Sequence, residues 1–240
     1  MSLVITVSVR EGIVMAADSR LTLNTQERQG ENTVVNLAVS QSDASYKLFL
    51  APCGVGISSY GAADIEGVPI AGYMDSFITA KLEDQPSARD VAQRLLEHFA
   101  AFTPVPKTLF HVAGYARGAD QVEQEVWGVN VEQGEVSRLG VAGQQGVSFG
   151  GEADILSRIL SPAAQLDADG TVVGSFPHYQ MPFQFFTLQD AIDFAVFAIR
   201  STIDAIRFEP RPKTVGGPIG VLVIRPSEAF WVQRKQLRVD

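Results

Sequence analysis

Serine at position 2, directly behind Met1, joins two reactive groups in one residue once the methionine is removed: a hydroxyl and a free α-amine. An α-amine titrates near pH 7.7–8, so close to neutrality a useful fraction is unprotonated and can take the hydroxyl proton during attack on a carbonyl. Such a serine needs no histidine partner. On its own, a serine in second place is commonplace, and the reading depends on what surrounds it.

Other routes to chemistry find little support. The chain has three histidines, His98, His111 and His178, and many serines, but no G-x-S-x-G elbow. His98 falls on an amphipathic helical stretch and His111 in an apolar run, where a satisfied structural histidine is the expectation. The glycines at Gly54 and Gly56 lack the G-K-[ST] or G-x-G-x-x-G context of a phosphate cradle. No cluster of ligands recommends a metal, and no cofactor is expected.

Composition narrows the class. With 46% hydrophobic and 19% charged residues in 240, the chain can build a sizeable core, and we read a single domain over 1–240. A net charge of −8, with no basic run longer than Arg234-Lys235, argues against nucleic acid or an anionic membrane as partner. The single cysteine, Cys53, excludes an internal disulfide and a multi-thiolate zinc site. Neither a secretion signal nor a membrane span is legible, so a cytoplasmic location is expected.

The elements that must position Ser2 follow from periodicity. β-rich runs at 3–9 and 13–17, around Arg10-Glu11-Gly12, predict an amino-terminal hairpin whose glycine can take positive φ. The polar stretch 21–45 reads as a long loop with one strand candidate at 33–39. Strands are expected at 47–50 and 55–59, then helices at 62–81 and 87–102, the second capped by Ser87. Three strands, 108–115, 125–131 and 136–139, predict a meander; a short strand at 147–149 leads into a helix at 152–160. A loop is expected over 161–186, and a helix over 187–206 is apolar on every face, which places it between layers. Strands at 219–224 and 229–233 close the chain. This order is α+β: two antiparallel sheets sandwiched between helical layers.

Four blocks in order carry a resemblance. SLVITVSVREGIVMAADSR, KLFLAPCGVGISSYGAAD, LFHVAGYARGADQVEQEVWGVNVEQGEV and VGGPIGVLVI together resemble a proteasome β-type subunit of the N-terminal nucleophile (Ntn) hydrolases. The resemblance spans nearly the whole chain and implies a four-layer αββα sandwich. It implies that Ser2 is the nucleophile and that Lys47 assists its deprotonation. It further implies that Asp18 orients Lys47 and that the backbone N–H of Gly61 stabilises the oxyanion. Lys47 and Gly61 stand fourteen residues apart, as in that family. Arg20, Ser148 and Thr214 are the supporting candidates. The chain departs from the family at Phe149, where a serine is usual, and at Arg211, where an aspartate three residues before Thr214 is usual. The Arg20–Lys47 interval is also longer than in that family.

The activity so implied is hydrolysis of peptide bonds in peptides or unfolded protein, inside a homo-oligomeric ring, with any ATPase partner unknown. Two other readings stand beside it. One is a non-catalytic ring subunit, which would carry an extra segment ahead of the first strand; the other is a small-molecule amidase with the same nucleophile.

Overall fold

The computed structural model describes residues 2–29, 32–82, 86–117 and 122–236. Met1, on whose removal the serine chemistry turns, lies outside them.

The first hairpin forms as expected from β1 (Leu3–Val9) and β2 (Gly12–Ala17), closing in the register Val9↔Gly12. Both strands are almost wholly buried because each face has a cover. Gly12 serves close approach and not a positive φ: a Cβ there would lie 2.9 Å from the Ile224 carbonyl oxygen. Next, β3 (Leu21–Gln29) and β4 (Asn32–Ser42) pair as a two-stranded antiparallel ribbon where a long loop was expected, the strand candidate at 33–39 lying within β4. The polar composition of this stretch conceals it, since a ribbon held by backbone pairing needs no alternating apolar face.

After β5 (Leu48–Leu50) and β6 (Gly56–Gly61) the chain makes a minute hairpin, β7 (Asp64–Ile65) with β8 (Val68–Pro69), and only then α1 (Ile70–Lys81). The helix expected from 62 therefore begins eight residues late. Glu66 at φ 51° and Gly67 at φ 81° occupy the left-handed region, which a right-handed helix cannot include. The second helix, α2 (Ala88–Ala100), starts at the Ser87/Asp90 capping box. The meander appears as β9 (Thr108–Arg117), β10 (Val122–Asn130) and β11 (Glu135–Arg138). Then come β12 (Gly146–Gly151) and α3 (Asp154–Leu160). The expected loop at 161–186 contains another small hairpin, β13 (Ala164–Leu166) and β14 (Val172–Ser175). Helix α4 (Leu188–Phe208) and the strands β15 (Gly220–Ile224) and β16 (Ala229–Gln233) complete the chain.

Two five-stranded sheets result, ordered β12-β1-β2-β15-β16 and β11-β10-β9-β6-β5. Alternation along β1 assigns its faces: Leu3, Ile5, Val7 and Val9 join Phe194, Ala198 and Ile199 of α4, whereas Val4 joins Met15, Leu48 and Leu222 between the sheets. The second sheet buries its outer face under Met74 and Phe77 of α1 and Val91, Leu95 and Phe99 of α2. The architecture is thus the four-layer αββα sandwich. Helix α4 is an outer layer and not an interior one. It buries Ala191, Phe194, Ala195, Ala198, Ile199, Thr202 and Ile206 on one face, and leaves Phe197 48% and Phe208 82% exposed.

A buried side-chain hydrogen bond links the two sheets across their core. Thr6 Oγ1 on β1 and His111 Nδ1 on β9 share a hydrogen bond of 3.2 Å, both residues buried, with the Tyr60 ring edge-on to the imidazole. His111 is the satisfied structural histidine expected from its place in the sequence. Burial holds its pKa down at about 4, so it is neutral in the fold. The unfolded chain takes up a proton near pH 6.5 that the fold refuses, so stability falls as pH drops from about 6.5 towards 4. Replacing His111 by Gln should remove up to about 3 kcal/mol of that acid loss. Urea unfolding at pH 7 and pH 4.5 measures it, and equal slopes in both proteins would refute it.

Candidate active site

Strand ends converge at one edge of the sandwich: the start of β1, the end of β2, the residue before β5, the ends of β6 and β12, and the turn into β15. Asp18, just past β2, is the centre of this edge. Its Oδ1 accepts from the Leu3 N–H at 3.0 Å and from Lys47 Nζ at 2.8 Å; its Oδ2 accepts from the N–H groups of Arg20 and Gly216, both at 3.0 Å. Four donors fill the capacity of a carboxylate. Because one oxygen is shared, Lys47 Nζ and the nitrogen next to Ser2 lie within about 6 Å of each other. Ser2, Asp18 and Lys47 are therefore brought together.

All three are buried, at 5%, 1% and 6% exposure. Burial pushes the Lys47 pKa below its ordinary value, and the attraction of Asp18 does not fully restore it. A lysine so placed is easier to deprotonate than one at the surface.

Gly61 stands at the end of β6, and no helix begins there, contrary to the expected glycine-led helix start. Ser59 donates to the Lys47 carbonyl and Ala62 to the Lys107 carbonyl, each at 2.9 Å. N–H groups alternate sides along a strand, so the Gly61 N–H is turned to the Lys47 flank. Its φ of 91° and the 2.5 Å that would separate a Cβ from the Lys107 carbonyl oxygen restrict the position to glycine.

Arg20 is a strut. Its guanidinium grips Asp43 through Nε at 2.6 Å and Nη2 at 2.8 Å, and Nη1 reaches the Lys213 carbonyl at 3.2 Å. Asp43 directly follows β4, so this pair ties the two feet of the β3–β4 ribbon together beside Asp18. A Cβ on Gly216 would strike the guanidinium at 2.4 Å, which explains the small residue there.

Ser148 is not brought to the site. It pairs with Thr6, three residues down β12 from the Leu3↔Gly151 pair, roughly 10 Å along the strand. Thr214 is at the site's margin: buried, it donates from Oγ1 to Glu152 Oε2 at 2.9 Å. Glu152 is the residue that sequence reasoning missed. Its N–H donates to the Ser2 carbonyl at 2.8 Å, and its carboxylate also accepts from Arg211 Nη1 at 2.8 Å. The adjacent Gly151, at φ 94°, admits this approach, since a Cβ would meet the Ser2 carbonyl oxygen at 1.7 Å. A lone acid after Gly150-Gly151 was the available signal; it read as the first turn of a helix.

Two cavities of about 610 and 520 Å³ lie at the opposite end of the sandwich, around Tyr115, Arg225 and Pro226 and around Arg10, Tyr115 and Arg138. Neither contains the converging polar groups just described. Among the described residues no group of three or more His, Cys, Asp or Glu could hold a metal, and no helix is long and apolar enough to cross a membrane.

No family model and no curated protein matches the chain. Solved structures do. A Gly-1 mutant of Anbu from Hyphomicrobium sp. strain MC1 superposes with a TM-score of 0.59 at 16% identity, covering 100% of this chain and 88% of the other. Anbu from the same strain in a second crystal form gives 0.54 at 14%, covering 98% and 88%. Anbu is a proteasome-related protein with an Ntn-hydrolase-like fold. The sequence resemblance to a proteasome β-type subunit is corrected accordingly: these two solved neighbours are Anbu, and identities this low establish the proteasome-like Ntn fold alone.

Asp18→Ala should destabilise the protein by about 3–5 kcal/mol, because it strands the Lys47 charge in a buried site and orphans three backbone N–H groups. Asp18→Asn, which keeps the shape, should cost less. Denaturant unfolding checks both; a loss below about 1 kcal/mol in the alanine variant would remove Asp18 as the organiser of this edge.

Proposed function

We propose that the chain is an amide hydrolase acting on peptides or unfolded polypeptide, with the Ser2 hydroxyl as nucleophile after Met1 is removed. The observation that carries this reading is the shared Asp18 oxygen, which holds the backbone beside Ser2 and the ammonium of Lys47 in one place.

In the proposed reaction, Ser2 Oγ bonds to the substrate carbonyl carbon as the α-amine takes its proton, directly or through a water. Lys47, its basicity lowered by burial, stabilises the forming alkoxide and shares in proton transfer. The negative charge moves to the former carbonyl oxygen, for which the Gly61 N–H is the proposed donor; loss of one such donor elsewhere costs about 2.7–4 kcal/mol. As the C–N bond breaks, the α-ammonium returns the proton to the leaving amine, and an ester remains on Ser2. Water, deprotonated by the same amine, then hydrolyses the ester and restores the hydroxyl. No cofactor enters the proposed cycle.

The substrate class is proposed from the surroundings of the site. The β3–β4 ribbon starts and ends beside Asp18 and Lys47, and the proposal makes it a wall of the substrate cleft. A wall of that length suits an extended polypeptide better than a compact small amide. A ring of copies, enclosing the sites, remains part of this proposal.

Intact mass and amino-terminal sequencing of protein from its native cell should find Ser2 as the first residue. Ser2→Ala should reduce hydrolysis of a fluorogenic peptide to background. Lys47→Ala should lower turnover by about 100- to 10,000-fold, the range of general-base assistance, while the folded protein persists by circular dichroism. Retained Met1, or peptide hydrolysis unchanged in Ser2→Ala, would sink the mechanism.

A further inference from the structure

Glu152 engages the Ser2 neighbourhood from both its main chain and its side chain. Its N–H holds the Ser2 carbonyl, and its carboxylate accepts from Thr214 Oγ1 and Arg211 Nη1. Two residues past Thr214, the Gly216 N–H is on Asp18 Oδ2. The segment from Thr214 to Gly216 thus runs from one carboxylate to the other. Ser2 is bounded by both: by Asp18 through the Leu3 N–H, and by Glu152 through its own carbonyl.

A threonine hydroxyl has one proton and two lone pairs. Thr214 directs the proton to Glu152, which leaves its oxygen free to accept from an N–H donor. The α-amine that Ser2 gains when Met1 is removed is a donor of that kind, on the residue whose carbonyl Glu152 holds. A carboxylate on the residue that holds the Ser2 carbonyl favours the protonated amine unless its charge is offset. Arg211 supplies the offset at 2.8 Å.

Resting on the reading of Ser2 as nucleophile, we infer that Glu152 and Arg211 form a charge-compensated pair that positions the Ser2 α-amine, with Thr214 Oγ1 as the acceptor that meets it. Glu152 is a positioning residue: it acts through Thr214 and touches no reacting atom. Other charges face the pair. Arg211 also meets Asp154 of α3 at 3.2 Å and Glu209 at 2.5 Å, and Arg158 lies against Asp154 and Glu209. Lys213 caps the carbonyls of Ile206 and Glu209. On the far side stand Asp18 with Lys47, and beyond them Arg20 with Asp43. All of these pairs are kept when only Glu152 or Arg211 is changed, apart from those made by Arg211 itself.

The two members of the pair must therefore act with opposite sign. Removing the negative charge lowers the amine pKa, and removing the positive charge raises it. Glu152→Gln should shift the acid limb of the kcat/KM–pH profile down by about 0.5–1 pH unit; Arg211→Gln should shift it up by a similar amount; the double variant should return it close to wild type. Thr214→Ser should keep kcat/KM within about threefold, and Thr214→Val should lose more than about tenfold. The same shifts should be read directly from the α-amine ¹⁵N resonance of serine-labelled protein prepared with Ser2 as its first residue.

Shifts of the same sign in both single variants, or unshifted titrations beside a lowered unfolding temperature, would overturn the inference and leave the pair a structural brace. Opposite shifts of the amine resonance in a protein that cleaves no peptide would uphold the pair and reject the hydrolase reading instead. Should Arg211→Gln fail to fold, Arg211→Lys, which keeps the charge, must titrate as wild type, and any departure counts against the inference.

Discussion

A single carboxylate with four donors organises the functional end of this molecule. Asp18 is anchored by backbone N–H groups from three separate stretches of chain: the start of β1, the root of the β3–β4 ribbon, and the turn into β15. The fourth donor is a buried ammonium. Burying Lys47 alone would be costly, and burying Asp18 alone equally so; together, with every lone pair of the carboxylate occupied, they form a fixed point. The strands radiating from it cannot slide without breaking one of those bonds, and a one-residue slip would also exchange the side chains of β1 that face α4 with those that face the second sheet. Chemistry and register are thus set by the same atoms.

Glycine does the complementary work. Where Asp18 draws backbones together by attraction, Gly61, Gly151 and Gly216 allow them to meet by having no side chain. At Gly151 the Ser2 carbonyl occupies the space of a Cβ, and at Gly216 the Arg20 guanidinium does. Gly150 extends the same logic between the sheets, where the Tyr60 ring fills the place of its Cβ at 2.4 Å. The edge is crowded by design of its sequence, and the crowding leaves few conformations open to Ser2.

Much of this was legible from the sequence because the signals were local and strong. The apolar runs of β1 and β2, the cap at Ser87 and the apolar stripe of α2 each state their element within a few residues. What failed to read were features decided at long range. Of the β3–β4 ribbon only the apolar part of β4, the strand candidate at 33–39, was legible; β3, LTLNTQERQ, is too polar to be told from a loop by composition. Helix α4 reads as interior because it is apolar all round, yet its outer face carries exposed Phe197 and Phe208. At the site, Asp18 and Lys47 were pointed to by the resemblance of the blocks that hold them, whereas Ser148, also a candidate, sits three residues down its strand from the Leu3↔Gly151 pair. Glu152 was invisible because its partners, Arg211 and Thr214, are about sixty residues away along the chain.

The clamp between Arg20 and Asp43 separates two kinds of change available to a lineage of such chains. Because the ribbon leaves and rejoins the body at one ion pair beside the site, residues can be added or lost between its feet without disturbing the atoms around Ser2. Reach and grip can then diverge by insertion, while the machinery underneath is inherited intact. A tether of this sort makes the ribbon a replaceable part, and it gives natural variation a place to act where the cost to folding is small.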